Sequence, residues 1–491
     1  MQLKRKFDRR LTSARRRYKI DGTMPIKGDG GMANTNDFSR GPVWRQIMAQ
    51  AIPLTLAEIV HMLYNVVDRV YIGHLSSTDS MALTGVGLIF PIVSLIGAFT
   101  SLFGTGGAPL FAIARGAGEA DKASRIQSCV FVLLLYCSIV LTALCYLFKR
   151  PVLYLFGASD ASYPYANAYL TVYLLGTPFT MLATGMNGFI NAQGFPRVGM
   201  LTTLLGAALN LALDPLFIFT FKMGVMGAAW ATVISQVISC VWVLLFLFGK
   251  RALIPLRRAH MRVTAPLLKR ILSLGVVGFI MKATNSLVQI VCNATLQSYG
   301  GDLYVGVMTV VNSVREILFL PVSGITSGGQ PVIGYNYGAR KNARVRQGIH
   351  FMTIACTVYT TVSWIAVLVF PRFLVGIFSN DAALLAAGPH ALNLYFFGFF
   401  FMAFQSSGQV SFQALGDARH AIFFSLLRKV VIVVPLTLLL PRLGLGADGV
   451  FIAEPVSNLI GGLACFITMY CTVYRRLARE SGNPGDSFIH G

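Results

Sequence analysis

The chain consists of long apolar runs punctuated by short polar stretches. Twelve of these runs are long enough to be bilayer-crossing helices, which need about 20 residues each. They lie at roughly 46–72, 81–106, 127–148, 163–186, 196–221 and 228–249, then at 268–297, 304–330, 349–370, 388–412, 419–441 and 447–473. The second six repeat the first. Sliding residues 106–235 forward by 222 positions, without a gap, sets Gly106, Gly107, Gly116, Gly176, Gly194, Gly224 and Gly227 on Gly328, Gly329, Gly338, Gly398, Gly416, Gly446 and Gly449. Pro109 likewise meets Pro331, and Tyr173 meets Tyr395. Compositional bias aligns apolar residues, but it does not bring this many glycines into one register. The period is far too long for a solenoid and suits a duplicated membrane bundle. The expected fold is an all-α integral membrane protein with twelve transmembrane helices in two pseudo-symmetric six-helix lobes. Six spans per lobe make the two repeats parallel, with the symmetry axis along the membrane normal and a cleft between the lobes.

Composition agrees. Hydrophobic residues make up 55% of the 491 and charged residues only 12%, about half the charged share of a globular domain. A soluble protein this apolar would aggregate. The net charge of +22 does not indicate nucleic acid, because the basic residues form no stripe on one element. They sit in the N-terminal tail and in alternate loops. The loops after helices 2, 4, 6, 8 and 10 hold 16 Lys and Arg, whereas those after helices 3, 5, 9 and 11 hold five. The positive-inside rule then puts both termini and the even loops in the cytoplasm. The expected organisation is a basic, disordered tail at 1–43, a first lobe at 44–249, a cytoplasmic linker at 250–267, a second lobe at 268–473 and a C-terminal tail at 474–491. The eight cysteines lie inside apolar runs without Cys-x-x-Cys spacing, which is packing rather than metal or redox chemistry.

Polar groups within the spans are costly and are functional candidates for that reason. Helix 1 carries Glu58, His61, Asn65 and Asp68 within an arc of about 80° at 100° per residue. Such a stripe faces a wet cavity or partner helices, not lipid; for His61 and Asn65 a helix-packing seam is the plainer alternative. Helix 5 carries Asn210 and Asp214, one turn apart on one face. Asp214 precedes Pro215, whose missing N–H leaves a helix carbonyl free. Thr232 on helix 6 adds a neutral oxygen. Two carboxylates, an amide and a hydroxyl suit a hard monovalent cation or protons. The 222-residue shift places Asp68, Asn210, Asp214 and Thr232 on Ile290, Ile432, Leu436 and Glu454. The scaffold was duplicated and the acidic cluster was not, so coupling chemistry is expected in the first lobe. The second lobe has Lys282, Arg315, Glu316 and Glu454, read either as ion pairs between helices or as substrate or gating contacts.

Several motifs together give the chain a family resemblance. Helix 1 reads Leu63-Tyr64-Asn65-Val66-Val67-Asp68, then Ile72-Gly73-His74-Leu75; helix 2 reads Gly87-Leu88-Ile89-Phe90-Pro91-Ile92. Helix 5 reads Asn210-Leu211-Ala212-Leu213-Asp214-Pro215, and helix 6 Gly227-Ala228-Ala229-Trp230-Ala231-Thr232. After helix 8 comes Gly329-Gln330-Pro331-Val332-Ile333-Gly334-Tyr335-Asn336-Tyr337-Gly338-Ala339. Over residues 45–475 the chain resembles the multidrug and toxic compound extrusion (MATE) antiporters, and the last string is most like the MepA-like bacterial branch.

The resemblance implies export of small cationic or amphipathic organic compounds from a bacterial cell, across the cytoplasmic membrane, driven by Na⁺ or H⁺ entry and without a cofactor. Asp68, Asn210, Asp214 and Thr232 match the family's coupling site and would be metal ligands if the ion is Na⁺. Tyr169 or Tyr173 fits the helix 4 tyrosine of some members. Glu58, His61, Asn65, Asn187 and Asn191 complete the candidates for substrate contact. Some relatives carry an acid on helix 7, where this chain offers Lys282. The chain is expected to act as a monomer and not as an enzyme: neither His-Glu-x-x-His nor a Gly-x-Gly-Asp pair occurs. The alternative is a flippase or exporter of a lipid-linked or other amphiphilic metabolite. That activity calls for a strongly cationic cavity, and the first-lobe candidates are acidic.

Overall fold

The structure is a computed structural model. It describes residues 37–73, 85–156, 158–160, 162–378 and 381–481; within these, residues 65, 66, 68–73 and 481 are described by their backbone alone. Among the described residues the fold is all-helical and reads as twelve spans. The first lobe comprises α1 (Val43–Gly73), α2 (Phe90–Gly116), α3 (Ala120–Leu155), α4 (Tyr163–Ala192), α5 (Pro196–Pro215, continued by a π-helical turn Leu216–Thr220) and α6 (Gly224–Phe248). Helices α7 (265–300) and α8 (302–338) follow one another so directly that they form one hydrogen-bonded run of 74 residues. A straight helix of that length would extend about 110 Å, several bilayers deep. Gly301, at φ +65° and ψ −164°, folds it into a hairpin, a backbone conformation open to glycine because it lacks Cβ.

After α8 come α9 (Asn342–Val369), a short helix (Pro371–Gly376), α10 (Ala382–Tyr395 and Phe401–Ala414, broken at Gly398), α11 (Ala418–Leu426 to Val434–Leu439 through a π-helical stretch Leu427–Val433) and α12 (Gly446–Ser457 through Arg475–Ser481).

The duplication is visible in the backbone. Positive φ angles recur at the 222-residue step: Gly118 and Arg340 (77° and 56°), Gly194 and Gly416 (89° and 78°), Lys222 and Gly444 (54° and 98°), Gly224 and Gly446 (59° and 53°). The same turns end the same helices in both lobes.

The lobes meet closely at the end that carries the basic loops. A Cβ on Gly116 of α2 would stand 1.8 Å from the Tyr335 carbonyl oxygen of α8, and a Cβ on Gly338 of α8 would stand 1.9 Å from the Ile113 carbonyl oxygen of α2. Ile113 and Tyr335 are themselves a 222-step pair, so α2 and α8 cross at the pseudo-twofold axis. A Cβ on Gly275 of α7 would fall 1.6 Å from the Leu102 oxygen, and one on Gly328 would fall 2.7 Å from the Ala51 nitrogen of α1. Toward the other end, Asn285, Ser286 and Gln289 on α7 are exposed. Polar side chains at that depth are tolerated against water rather than lipid.

Residues 37–42 form an ordered strap, not the disordered tail expected from the sequence. Phe38 is fully buried beneath Tyr335, with ring centroids 5.7 Å apart, and the Arg115 guanidinium of α2 lies 5.1 Å from its ring. Asn336 Nδ2 donates to the Phe38 carbonyl at 3.0 Å. Arg344 donates to the carbonyls of Phe38 (3.1 Å) and Gly41 (2.9 Å). Residues 1–36 of the expected tail lie outside the described residues.

Candidate functional site

Three of the expected coupling residues come together. Asn210, Asp214 and Thr232 are 2%, 1% and 5% exposed, although α5 and α6 face a membrane on their other sides. Asn210 Nδ2 donates to Asp214 Oδ1 and to Thr232 Oγ1, both at 3.3 Å. Turned over, the amide holds the same two residues, with Nδ2 3.0 Å from Asp214 Oδ2. Thr232 donates its proton to the Ala228 carbonyl at 3.0 Å, which leaves its lone pairs facing the amide. Pro215 lacks an N–H and so deprives the Leu211 carbonyl of its helical donor; there the α-helix gives way to a π-turn, a distortion found often at functional sites.

Helix 4 sets the level of its tyrosines. Asn187 Nδ2 donates to the Gly199 carbonyl of α5 at 3.2 Å, and a Cβ on Gly199 would press on Asn191 Oδ1 at 2.3 Å. These two asparagines pack the α4–α5 seam, so the structure does not bring them to Asp214, which lies 15 residues farther along α5, about 22 Å at helical rise. Tyr173 precedes Asn187 by 14 residues on antiparallel α4 and therefore lies at about the depth of Asp214. Tyr169 and Tyr173 are buried and stack on each other with centroids 6.0 Å apart. The side chains of Asn65 and Asp68 lie outside the described residues. Glu58 turns to the lobe interface, where Ser323 of α8 donates to its Oε1 at 2.9 Å. His61 is exposed and meets Tyr64 edge-on at 5.6 Å. Lys282 spans the interface from the other side and donates to the Gly97 carbonyl of α2 at 3.1 Å.

The second lobe holds a cluster of opposite sign. Glu454 of α12 is 5% exposed. Its Oε1 accepts from Arg428 Nη1 at 2.9 Å, and Lys429 Nζ bonds its two oxygens at 3.2 and 3.4 Å. Arg428 also donates to Asn458 Oδ1 at 2.7 Å. Arg428 and Lys429 are both buried and sit in the π-helical stretch of α11; both long side chains reach Glu454. Gly461 makes room for the arginine stem: a Cβ there would lie 3.1 Å from Arg428 Cγ. Arg315 of α8 and Glu454 line one cavity.

A family model called MatE matches the chain twice, over residues 53–216 and 279–439. The two matches begin and end at nearly the offset of the internal repeat. The chain belongs to the MatE family. It is a membrane-embedded, multi-pass transporter and not an enzyme. A relative from Staphylococcus saprophyticus, the multidrug export protein MepA, is 26% identical over 437 residues, which cover 88% of this chain and 95% of that one. MepA of Staphylococcus haemolyticus is 25% identical over 83% of this chain and 89% of its own length. Among solved structures, a MATE transporter in a bent conformation superposes with a TM-score of 0.85 at 22% identity, covering 92% of this chain and 99% of that one. A transporter of the MOP superfamily from Pyrococcus furiosus superposes at 0.82 with the same identity, over 92% and 100% of the two chains. The twelve-helix, two-lobe fold expected from the sequence is therefore that of MATE transporters. Arg428 and Lys429 escaped the sequence reading. The signal was present: two consecutive cations inside the apolar run at 419–441.

Proposed function

We propose that this MATE protein is a secondary antiporter that exports cationic or amphipathic organic compounds in exchange for Na⁺ or H⁺ by alternating access. The observation that carries the reading is the Asn210–Asp214–Thr232 set, a carboxylate, an amide and a hydroxyl bonded together in a nearly solvent-free part of the first lobe. A carboxylate in such a place has a strong drive to take up a cation or a proton. Asp214 would receive the ion, with Asn210 and Thr232 offering neutral oxygens and Asp68 a second carboxylate. Occupancy neutralises the lobe and weakens its hold on a cationic substrate; release on the opposite side restores the negative charge. Tyr173 and Tyr169, at the level of Asp214, would shape the wall between ion and substrate. With the basic loops and both termini in the cytoplasm, the closely packed α2–α8 crossing closes the cytoplasmic side, and the cleft opens outward. The membrane in this reading is the cytoplasmic membrane of a bacterium.

The test is efflux of a cationic dye from proteoliposomes under an imposed Na⁺ gradient and, separately, an imposed pH gradient. One gradient should drive efflux, and Asp214→Asn should reduce it to background at unchanged protein level. Asp68→Asn should do the same. Undiminished efflux by Asp214→Asn would reject the assignment.

A further inference from the structure

The second lobe holds a cavity of about 190 Å³ in the place where the first lobe holds its buried oxygen ligands. Tyr395 and Glu454 line it, and by the 222-residue step they are the counterparts of Tyr173 and Thr232. The duplicated lobes thus carry different polar groups at one position. Here Arg315 from α8 and Lys429 from α11 face the space, with Asn312, Gln289 and Glu316 also in its wall. Arg428 stands behind Glu454 and bonds it.

We propose that this cavity is an oxyanion subsite, in which Arg315 and Lys429 hold the carboxylate or phosphate group of an exported amphiphile. Charge, hydrogen bonding and size all favour such a group. The first is charge. Arg315, Lys429 and, behind them, Arg428 stand against two acids, Glu454 and the exposed Glu316; with Lys429 protonated, one positive charge is uncompensated in a low-dielectric lobe, where that is costly. One singly charged oxyanion balances it. The second is hydrogen bonding. Arg428 and Lys429 spend donors on Glu454 and Asn458, whereas the Arg315 Nε is buried without a hydrogen-bond partner. A guanidinium fork matches a carboxylate or phosphate edge. The third is size. A water takes about 30 Å³ and a drug-sized ligand about 300 Å³ or more, so the space fits a charged head group rather than a whole substrate. The remainder of the molecule would lie past exposed Asn285 and Ser286, which also line the pocket, in the cleft. That the amphiphile is exported rests on the function proposed above; the subsite itself does not.

The test uses the purified full chain in detergent and two dyes that differ at one group: rhodamine 110, with a free carboxylate, and its methyl ester, rhodamine 123. Fluorescence polarisation should show the free acid bound more tightly. Arg315→Gln should weaken the free acid about tenfold or more, the loss of one charge-assisted hydrogen bond, and leave the ester within about twofold; Arg315→Lys should recover part of the loss. Unchanged ester binding reports that the variant is folded. Equal effects on both dyes, or no effect on either, overturn the subsite. If Arg315→Gln does not fold, competition on the unaltered protein decides: displacement of rhodamine 110 by benzoate supports a carboxylate-bearing solute, displacement by dihexanoyl phosphatidic acid supports a lipid phosphate, and displacement by neither overturns the proposal. Failure of ion-driven rhodamine 123 efflux from proteoliposomes would instead sink the export reading, and the difference between the two dyes would stand.

Discussion

The α5–α6 pair of the first lobe and the α11–α12 pair of the second began as copies and now carry opposite charge. At one crossing, Gly206 of α5 faces Ser239 of α6, and a Cβ on it would lie 2.8 Å from the serine oxygen. At the equivalent crossing the small residue has changed helix: Gly461 of α12 now yields to the stem of Arg428 on α11. Thr232 has become Glu454, and Asn210 and Asp214 have become Ile432 and Leu436. The backbone turns are retained. The comparison teaches that the fold is specified by glycines and turns shared between lobes, whereas each site is specified by a handful of side chains that were free to diverge.

The largest effect should come from breaking the charged cluster. Glu454→Gln leaves Arg428 and Lys429 buried without their counter-charge, a loss of about 3–5 kcal/mol. Its counterpart, Thr232→Val, removes one hydroxyl that Asn210 bonds, worth about 1 kcal/mol. Thermal unfolding of the two purified variants measures the contrast. Equal destabilisation would show that the lobes do not differ in the way their charges imply. Benzoate should worsen neither variant and, by filling the oxyanion subsite, should partly protect Glu454→Gln, whose cations are then in larger excess.

The next effect tests what the lobes still share. Gly116→Ala and Gly338→Ala each drive a methyl into a carbonyl oxygen of the opposite lobe. A backbone oxygen cannot swing aside as a side chain can, so α2 and α8 must part, at about 1–3 kcal/mol. The pseudo-twofold axis predicts similar losses at the two positions. Gly87→Ala, with nothing within 4 Å of the added carbon, is the control and should be neutral. A large loss at one crossing position and none at the other would confine the symmetry to the turns.

Much of this was legible in the sequence. Hydropathy gave twelve spans, and the glycine register gave the duplication, because both are long-range patterns that survive substitution. The Asn210–Asp214–Thr232 set was legible because four-residue spacing fixes a helical face. Gly301 was not: nothing in the string marks it apart from Gly300, and only the hairpin requires its positive φ. Arg428 and Lys429 were missed because α-helical geometry puts adjacent residues on different faces, so two consecutive cations do not read as one site. Asn187 and Asn191 looked like substrate contacts; their amides lie at the α4–α5 seam because Gly199 opens a gap there. The strap at 37–42 was hidden by its neighbours, a short ordered segment following a long basic one.

The strap allows the smallest test. By the 222-residue step Phe38 corresponds to His260 in the segment leading into α7. His260 Nδ1 lies 3.0 Å from Ser124 Oγ at the start of α3, while Phe38 packs on α8 and α9. Each lead-in segment therefore crosses to the other lobe. Asp37 fastens the first of them: its Oδ1 accepts from the Ser39 N–H at 2.9 Å and its Oδ2 pairs with Arg40 at 3.3 Å. Burial alone would raise its carboxyl pKa, but the bonds from Ser39 and the charges of Arg40 and Lys341 hold it below the ordinary value. A carboxyl depressed on folding stabilises above its unfolded pKa and loses that contribution as pH falls through the folded one. Asp37→Asn should therefore melt slightly below the unaltered protein near neutral pH, and the two should converge as the pH drops below about 4. The group is partly exposed, so screening keeps the difference to about one or two degrees. A gap that widens in acid would mean that the carboxylate does not anchor the strap, and would leave Phe38 and Arg344 to hold it.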